Sequence, residues 1–158
     1  MSIYAIFSMM KSSVCFVTEF GDSIAKLVDL REKALTEPNT FRGVRDKQGR
    51  LQAGAIVEPE IDYLSVDNFT SAPWNVLRNQ PESLKGAGTS LMEELVKESI
   101  DLDFEGRLKL YPIPRAVPFY QRVGFVESEE GTGELELTPL AAKAFLEQQK
   151  RFRRTGRR

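Results

Sequence analysis

Ser83-Leu84-Lys85-Gly86-Ala87-Gly88-Thr89-Ser90-Leu91-Met92 sets two glycines at the start of an amphipathic run that continues to Ile100. Leu84, Gly88, Leu91, Leu95 and Val96 share one helical face, and Glu93, Glu94, Lys97 and Glu98 fall on the other. The spacing predicts a helix that begins at the glycine turn, with the first set facing inward and the second facing water. The first N–H groups of a helix have no partner within it, and its aligned peptide dipoles add about half a positive charge there. Glycine lets a ligand come close to the backbone. The stretch therefore suits an anion such as a phosphate. It equally suits a capped helix start that holds no ligand.

Before this stretch, residues 61–66 read as a strand, with Ile61, Tyr63 and Ser65 on one face and Asp62, Leu64 and Val66 on the other. After it, residues 107–111 read as another strand. A strand, a helix and a strand in this order predict a parallel pair joined by a right-handed crossover. Residues 67–82 read as a long loop, where Trp74 either walls a pocket or pins the loop to the core. Upstream, residues 3–8 and 14–19 read as short strands. A helix follows, capped by Asp22 or Ser23, carrying Ile24, Leu27, Val28, Arg31, Ala34 and Leu35, and stopped at Pro38. Residues 41–46 and 51–57 form a hairpin around Asp46-Lys47-Gln48-Gly49, and Pro59 breaks the second strand. Downstream, Pro118 opens a short helix to about Val123, since a missing N–H costs nothing in the first turn. Residues 125–127 and 134–137 are short strands. Thr138 caps a last helix with Pro139 at its first position and Leu140, Ala141, Ala144 and Phe145 inward.

Ordinary globular composition, 41% hydrophobic and 28% charged over 158 residues, gives one core and one expected domain, residues 1–149. There is no histidine, and Cys15 is the only cysteine. That excludes an internal disulfide, a Ser-His-Asp triad and a zinc site of histidine and cysteine, and no metal is expected. The last nine residues hold six cations, Lys150, Arg151, Arg153, Arg154, Arg157 and Arg158. Taking those six from the net charge of −1 leaves −7 on residues 1–149. Such an acidic body disfavours a general nucleic-acid surface and leans towards a cationic substrate. The tail 150–158 is expected to be a disordered, solvated end; as alternatives it contacts nucleic acid, an anionic membrane or a partner. The N-terminal stretch lacks a basic leader and is too short to span a membrane, so a cytoplasmic protein is expected.

Two motifs together carry a family resemblance. Lys85-Gly86-Ala87-Gly88 after strand 61–66 is similar to the pyrophosphate loop of the GNAT (GCN5-related) N-acetyltransferases. Ala116-Val117-Pro118-Phe119-Tyr120-Gln121-Arg122-Val123-Gly124-Phe125 is close to the same family's Ala-x-x-Phe-Tyr-x-x-x-Gly-Phe. The resemblance covers about residues 51–138. It implies an α+β (mixed α/β) fold: a central, mixed, mostly antiparallel twisted sheet with a splayed parallel strand pair, flanked by helices. Ser83 departs from the Arg or Gln usual at its position, which leaves one phosphate contact to be supplied otherwise, for example by Lys85. The extra N-terminal strand is a second departure.

The resemblance further implies acetyl-CoA as co-substrate. Lys85, Gly86, Ala87, Gly88, Thr89 and Ser90 would hold its pyrophosphate, four of them (Ala87, Gly88, Thr89 and Ser90) offering backbone N–H groups. Strands 61–66 and 107–111 would hold the pantetheine arm, and the backbone at Leu64, Ser65 and Val66 would polarise the thioester carbonyl. Phe119 counts with the cofactor residues. Tyr120 would be the general acid, since a phenol of pKa about 10 can protonate a thiolate whose thiol has a pKa of about 8.5. An amine must lose a proton before it attacks. Without histidine, the local bases are Glu58, Glu60, Asp62 and Asp67, with Glu58 and Asp62 ranked level.

The expected function is acetyl transfer to a primary amine, of a small molecule or a protein, by direct attack in a ternary complex. The alternative is a non-catalytic CoA-binding or protein-interaction module on the same fold. A homodimer is left open, and no membrane partner is expected.

Overall fold

The computed structural model describes the chain over residues 21–72 and 86–156, with side chains from Val28 onward. The strands expected at 3–8 and 14–19, Cys15, Trp74, Ser83 and Lys85 lie outside the described residues. The element order is helix α1 (Gly21–Thr36), strands β1 (Phe41–Arg45), β2 (Leu51–Pro59) and β3 (Leu64–Ser71), helix α2 (Ala87–Asp101), strand β4 (Leu108–Leu110), helix α3 (Val117–Val123), strands β5 (Val126–Glu127) and β6 (Leu135–Leu137), and helix α4 (Pro139–Thr155). The strands form one mixed sheet in the order β1-β2-β3-β4-β6-β5. The β3–β4 pair is parallel, and β1–β2, β4–β6 and β5–β6 are antiparallel.

By its contacts the chain divides into two compact units. One takes residues up to Val57 together with Asn68–Leu91, and the other takes Glu58–Asp67 and everything from Met92. In the first, Leu30 and Ala34 of α1 join Phe41, Leu51, Ile56 and Ala72 in an apolar cluster. Burying each large aliphatic side chain contributes about 1.5–3 kcal/mol. Leu30 is therefore the centre of the inward face, whereas Val28 and Leu35, read at helical spacing, are exposed. The β1–β2 turn is held by Asp46. Its carboxylate accepts from the N–H groups of Gln48 and Arg50 (both 2.9 Å), from Arg50 Nε (2.7 Å) and from Gln52 Nε2 (2.8 Å).

In the second unit, Leu108 pairs with Leu137 and Leu110 with Leu135, while Lys109 faces Glu136 between them. One sheet face is thus apolar and the other charged. Gly106, at φ +87°, lies where an added Cβ would be 2.7 Å from Ala142 Cβ and 3.3 Å from Val96 Cγ1, so its bareness lets the turn after α2 lie against α4. Thr138 caps α4 as expected, its Oγ1 accepting from the Ala141 N–H (3.3 Å). Ala142 and Phe145 face inward, but Leu140 is 81% exposed and Ala144 is exposed too.

Three expectations need correction here. The strand read at 61–66 begins at Leu64 and runs to Ser71, so residues 67–71 are strand rather than loop. Ile61 is 96% exposed in a bend closed by the Glu60 N–H donating to the Tyr63 carbonyl (2.9 Å). Alternating residues allowed either start, and burial of Leu64, Val66, Asn68 and Thr70 fixes the later one. Glu93, expected to face water, is 6% exposed. Arg153 Nη1 donates to both its carboxylate oxygens (2.9 and 2.7 Å) and Lys97 pairs with it at 3.1 Å. The same bond corrects the tail: α4 stays helical through Thr155 because Arg153 is tied to a carboxylate sixty residues earlier.

Candidate active site

The first part of the site is the parallel strand pair. β3 and β4 pair only at Leu64↔Leu108 and Ser65↔Lys109. β4 ends one residue later, at Leu110, while β3 continues to Ser71 and borders β2 in the sheet. The Leu64 N–H donates to the Arg107 carbonyl (3.1 Å), so that group is committed to the ladder and is not a donor for a ligand. N–H groups on one edge of a strand recur every second residue. Those of Val66 and Asn68 follow at and beyond the end of the pairing. Val66 is buried; Ser65 is half-buried, with its hydroxyl donating to the Asp67 carboxylate (3.3 Å).

The second candidate element, in the other unit, is the start of α2. Gly86 sits at φ +91° and its carbonyl accepts the first helical bond, from the Ser90 N–H (2.8 Å). This corrects the expected donor set. The Ser90 N–H is taken, and those of Ala87, Gly88 and Thr89 precede the first bonded turn of the described helix. No acidic residue lies in the first turn, so the positive end of the helix dipole is not neutralised from within the helix. A pyrophosphate fits this arrangement of donors and charge.

The third part is α3. Pro118 occupies its first turn, and Gly124 ends it at φ +116°, its N–H donating to the carbonyls of Tyr120 and Gln121. The Phe125 N–H also bonds the Tyr120 carbonyl (3.0 Å). This left-handed cap turns Phe125 back onto the helix, and its ring meets Tyr120 edge-on at 5.5 Å. Phe119 meets the same ring at 5.3 Å. Tyr120 is 3% exposed. Burial pushes its phenol well above the ordinary range, so it keeps its proton throughout the neutral region.

The carboxylates differ from one another. Glu58 is half-buried near the end of β2. Asp62 is exposed in the bend before β3 and is ion-paired with Arg107 (2.5 Å). Arg107 also reaches Glu136 at 3.4 Å. Lys109 stands 3.6 Å from Glu134 and 4.8 Å from the centre of the Tyr63 ring. These cross-strand pairs were missed from sequence. Their signal was the alternation Arg107-Leu-Lys109-Leu and Glu134-Leu-Glu136-Leu, which predicts a charged face once the register of β4 and β6 is known.

No family model matches the sequence, and no curated protein matches it closely. Solved structures do match the fold. A protein from Desulfovibrio desulfuricans assigned as an acetyltransferase of the GNAT family aligns with a TM-score of 0.56 at 16% identity, over 83% of this chain and 90% of its own. GCN5 from Tetrahymena aligns at 0.53 and 12% identity, over 85% and 84%. A protein from Exiguobacterium sp. 255-15 assigned as an acetyltransferase aligns at 0.52 and 18% identity, over 84% and 88%. The chain has the GNAT fold, as the sequence motifs imply. Among the described residues no helix is long and apolar enough to cross a membrane.

Proposed function

We propose that this chain is an acetyl-CoA-dependent N-acetyltransferase acting on a primary amine. The observation that carries the reading is the Phe119-Tyr120…Gly124-Phe125 helix, with Tyr120 buried on it, in a chain with the GNAT fold. The N–H groups of Ala87, Gly88 and Thr89, with Gly86 at the turn, take the pyrophosphate; Lys85 and the Ser90 hydroxyl add to them. The pantetheine arm lies along the strands that stop pairing after Ser65 and Lys109, beside Phe119. A backbone N–H on that edge of β3 beyond its pairing with β4 polarises the thioester carbonyl.

In the reaction the amine nitrogen attacks the thioester carbon and the C–S bond breaks. The CoA thiolate takes the Tyr120 proton. Glu58, half-buried near the end of β2, is the better base, through water; Asp62 is exposed. The acceptor is an amine of a small molecule or a protein, and the acidic body favours a cationic one.

A thermal-shift titration with acetyl-CoA and CoA tests the binding site. The intact chain is expected to be stabilised by both, and Gly88→Glu is expected to remove the shift by placing a carboxylate among the anion donors. An unchanged shift in Gly88→Glu takes the pyrophosphate away from α2.

A further inference from the structure

The end of α4 carries charges that acetyl transfer does not use. Arg153, itself exposed, is bonded to the buried Glu93. That bond fixes how the last turns of the helix are presented. Lys143, Lys150 and Arg154, at i, i+7 and i+11, share the face turned away from the buried Ala142 and Phe145, and Arg151 flanks them. All four are exposed. Glu147 is the only acidic residue among them; it pairs with Lys150 at 2.9 Å and is lowered in pKa by Lys150, Arg151 and Arg154. At 1.5 Å per residue the stripe spans about 16 Å. The sequence continues with Arg157 and Arg158.

We propose that this stripe is a docking surface for the phosphate backbone of a duplex nucleic acid. The reading is independent of the acetyltransferase proposal. Charge complementarity carries it: a straight row of cations, two of them arginines suited to phosphate oxygens, meets a regular row of anions. Leu140 and Phe152 are the large apolar residues α4 exposes, too few for the apolar side a helix needs to enter a membrane interface. Stacking on single-stranded bases would need aromatic platforms, and Phe152, 37% exposed, is the one aromatic in α4 beyond the buried Phe145. Because the opposite side of α4 is held down by Ala142, Phe145 and Arg153, the helix lies across the backbone rather than inside a groove. Binding is therefore insensitive to sequence. The charge of −7 on residues 1–149 keeps it confined to this stripe.

Fluorescence anisotropy with a short labelled duplex, made once as DNA and once as RNA, tests this on the full chain. Four phosphate contacts give a log–log salt slope of about −4 between roughly 50 and 200 mM salt. The triple variant Lys150→Gln, Arg151→Gln, Arg154→Gln is expected to lose at least tenfold in affinity and to flatten the slope by about 3. Lys47→Gln, in the β1–β2 turn, is expected to bind like the parent, and circular dichroism checks that each variant is folded. Equal binding by the triple variant overturns the proposal. So does a folded parent that ignores both duplexes but floats with vesicles containing phosphatidylserine, or that instead self-associates through the stripe in sedimentation.

Discussion

Glu93 and Tyr120 are both buried titratable groups of the same unit, yet their surroundings drive them in opposite directions. Burial alone would raise the pKa of each. At Glu93 the hydrogen bonds from Arg153 and Lys97 outweigh burial, and the carboxyl ends below its usual range. At Tyr120 the neighbours are the Phe119 and Phe125 rings, and burial prevails. A carboxylate enclosed by cations keeps its charge and ties α2 to α4. A phenol packed between two rings stays neutral. The first arrangement ties two helices together; the second is the one to which the proposed reaction assigns the general acid.

The sharpest way to break this contrast is to exchange what each residue supplies. Tyr120→Phe removes the phenol hydroxyl and its proton, so acetyl-CoA affinity is expected to hold while turnover falls at least tenfold. Unchanged turnover at saturating substrate makes Tyr120 a core residue like its ring neighbours. Glu93→Gln is expected to do the reverse, leaving turnover intact in the cold and lowering stability by about 1–2 kcal/mol at pH 7 in urea titrations. The folded pKa of Glu93 lies below the unfolded value near 4.5. Its stabilising contribution is therefore complete above that value and disappears as pH falls through the folded pKa. The gap between parent and variant should close in strongly acidic solution, and a gap constant with pH would mean that the charge of Glu93 contributes nothing. The smallest effect belongs to Asp62, whose ion pair with Arg107 is exposed. Asp62→Asn is expected to cost under about 1 kcal/mol and to change turnover less than twofold. A loss comparable to that of Tyr120→Phe would move the general base from Glu58 to Asp62.

Local chemistry explains what the sequence made legible. The Asp46–Gly49 turn, the Thr138-Pro139 cap and the glycine start of α2 each depend on residues within a few positions, and each forms as read. The Phe119-Tyr120…Gly124-Phe125 helix is equally local, since Gly124 supplies the left-handed cap itself. What escaped depends on distant partners. Nothing near Glu93 reveals that Arg153 will pair with it, and nothing in a run of six cations reveals that one of them is tied to a distant carboxylate. Leu64 as a ligand donor failed because its N–H belongs to a ladder with residues over forty positions away. The Ser90 N–H was misjudged for a smaller reason, a one-residue difference in where the helix begins, which decides which N–H groups lack helical acceptors.

The most direct test of the central claim is release of free CoA thiol from acetyl-CoA across a broad panel of primary amines, cationic ones included. The account predicts release that depends on the amine and that falls at least tenfold in Tyr120→Phe. No amine-dependent release from a protein that still binds CoA would contradict it and leave a non-catalytic module on the same fold.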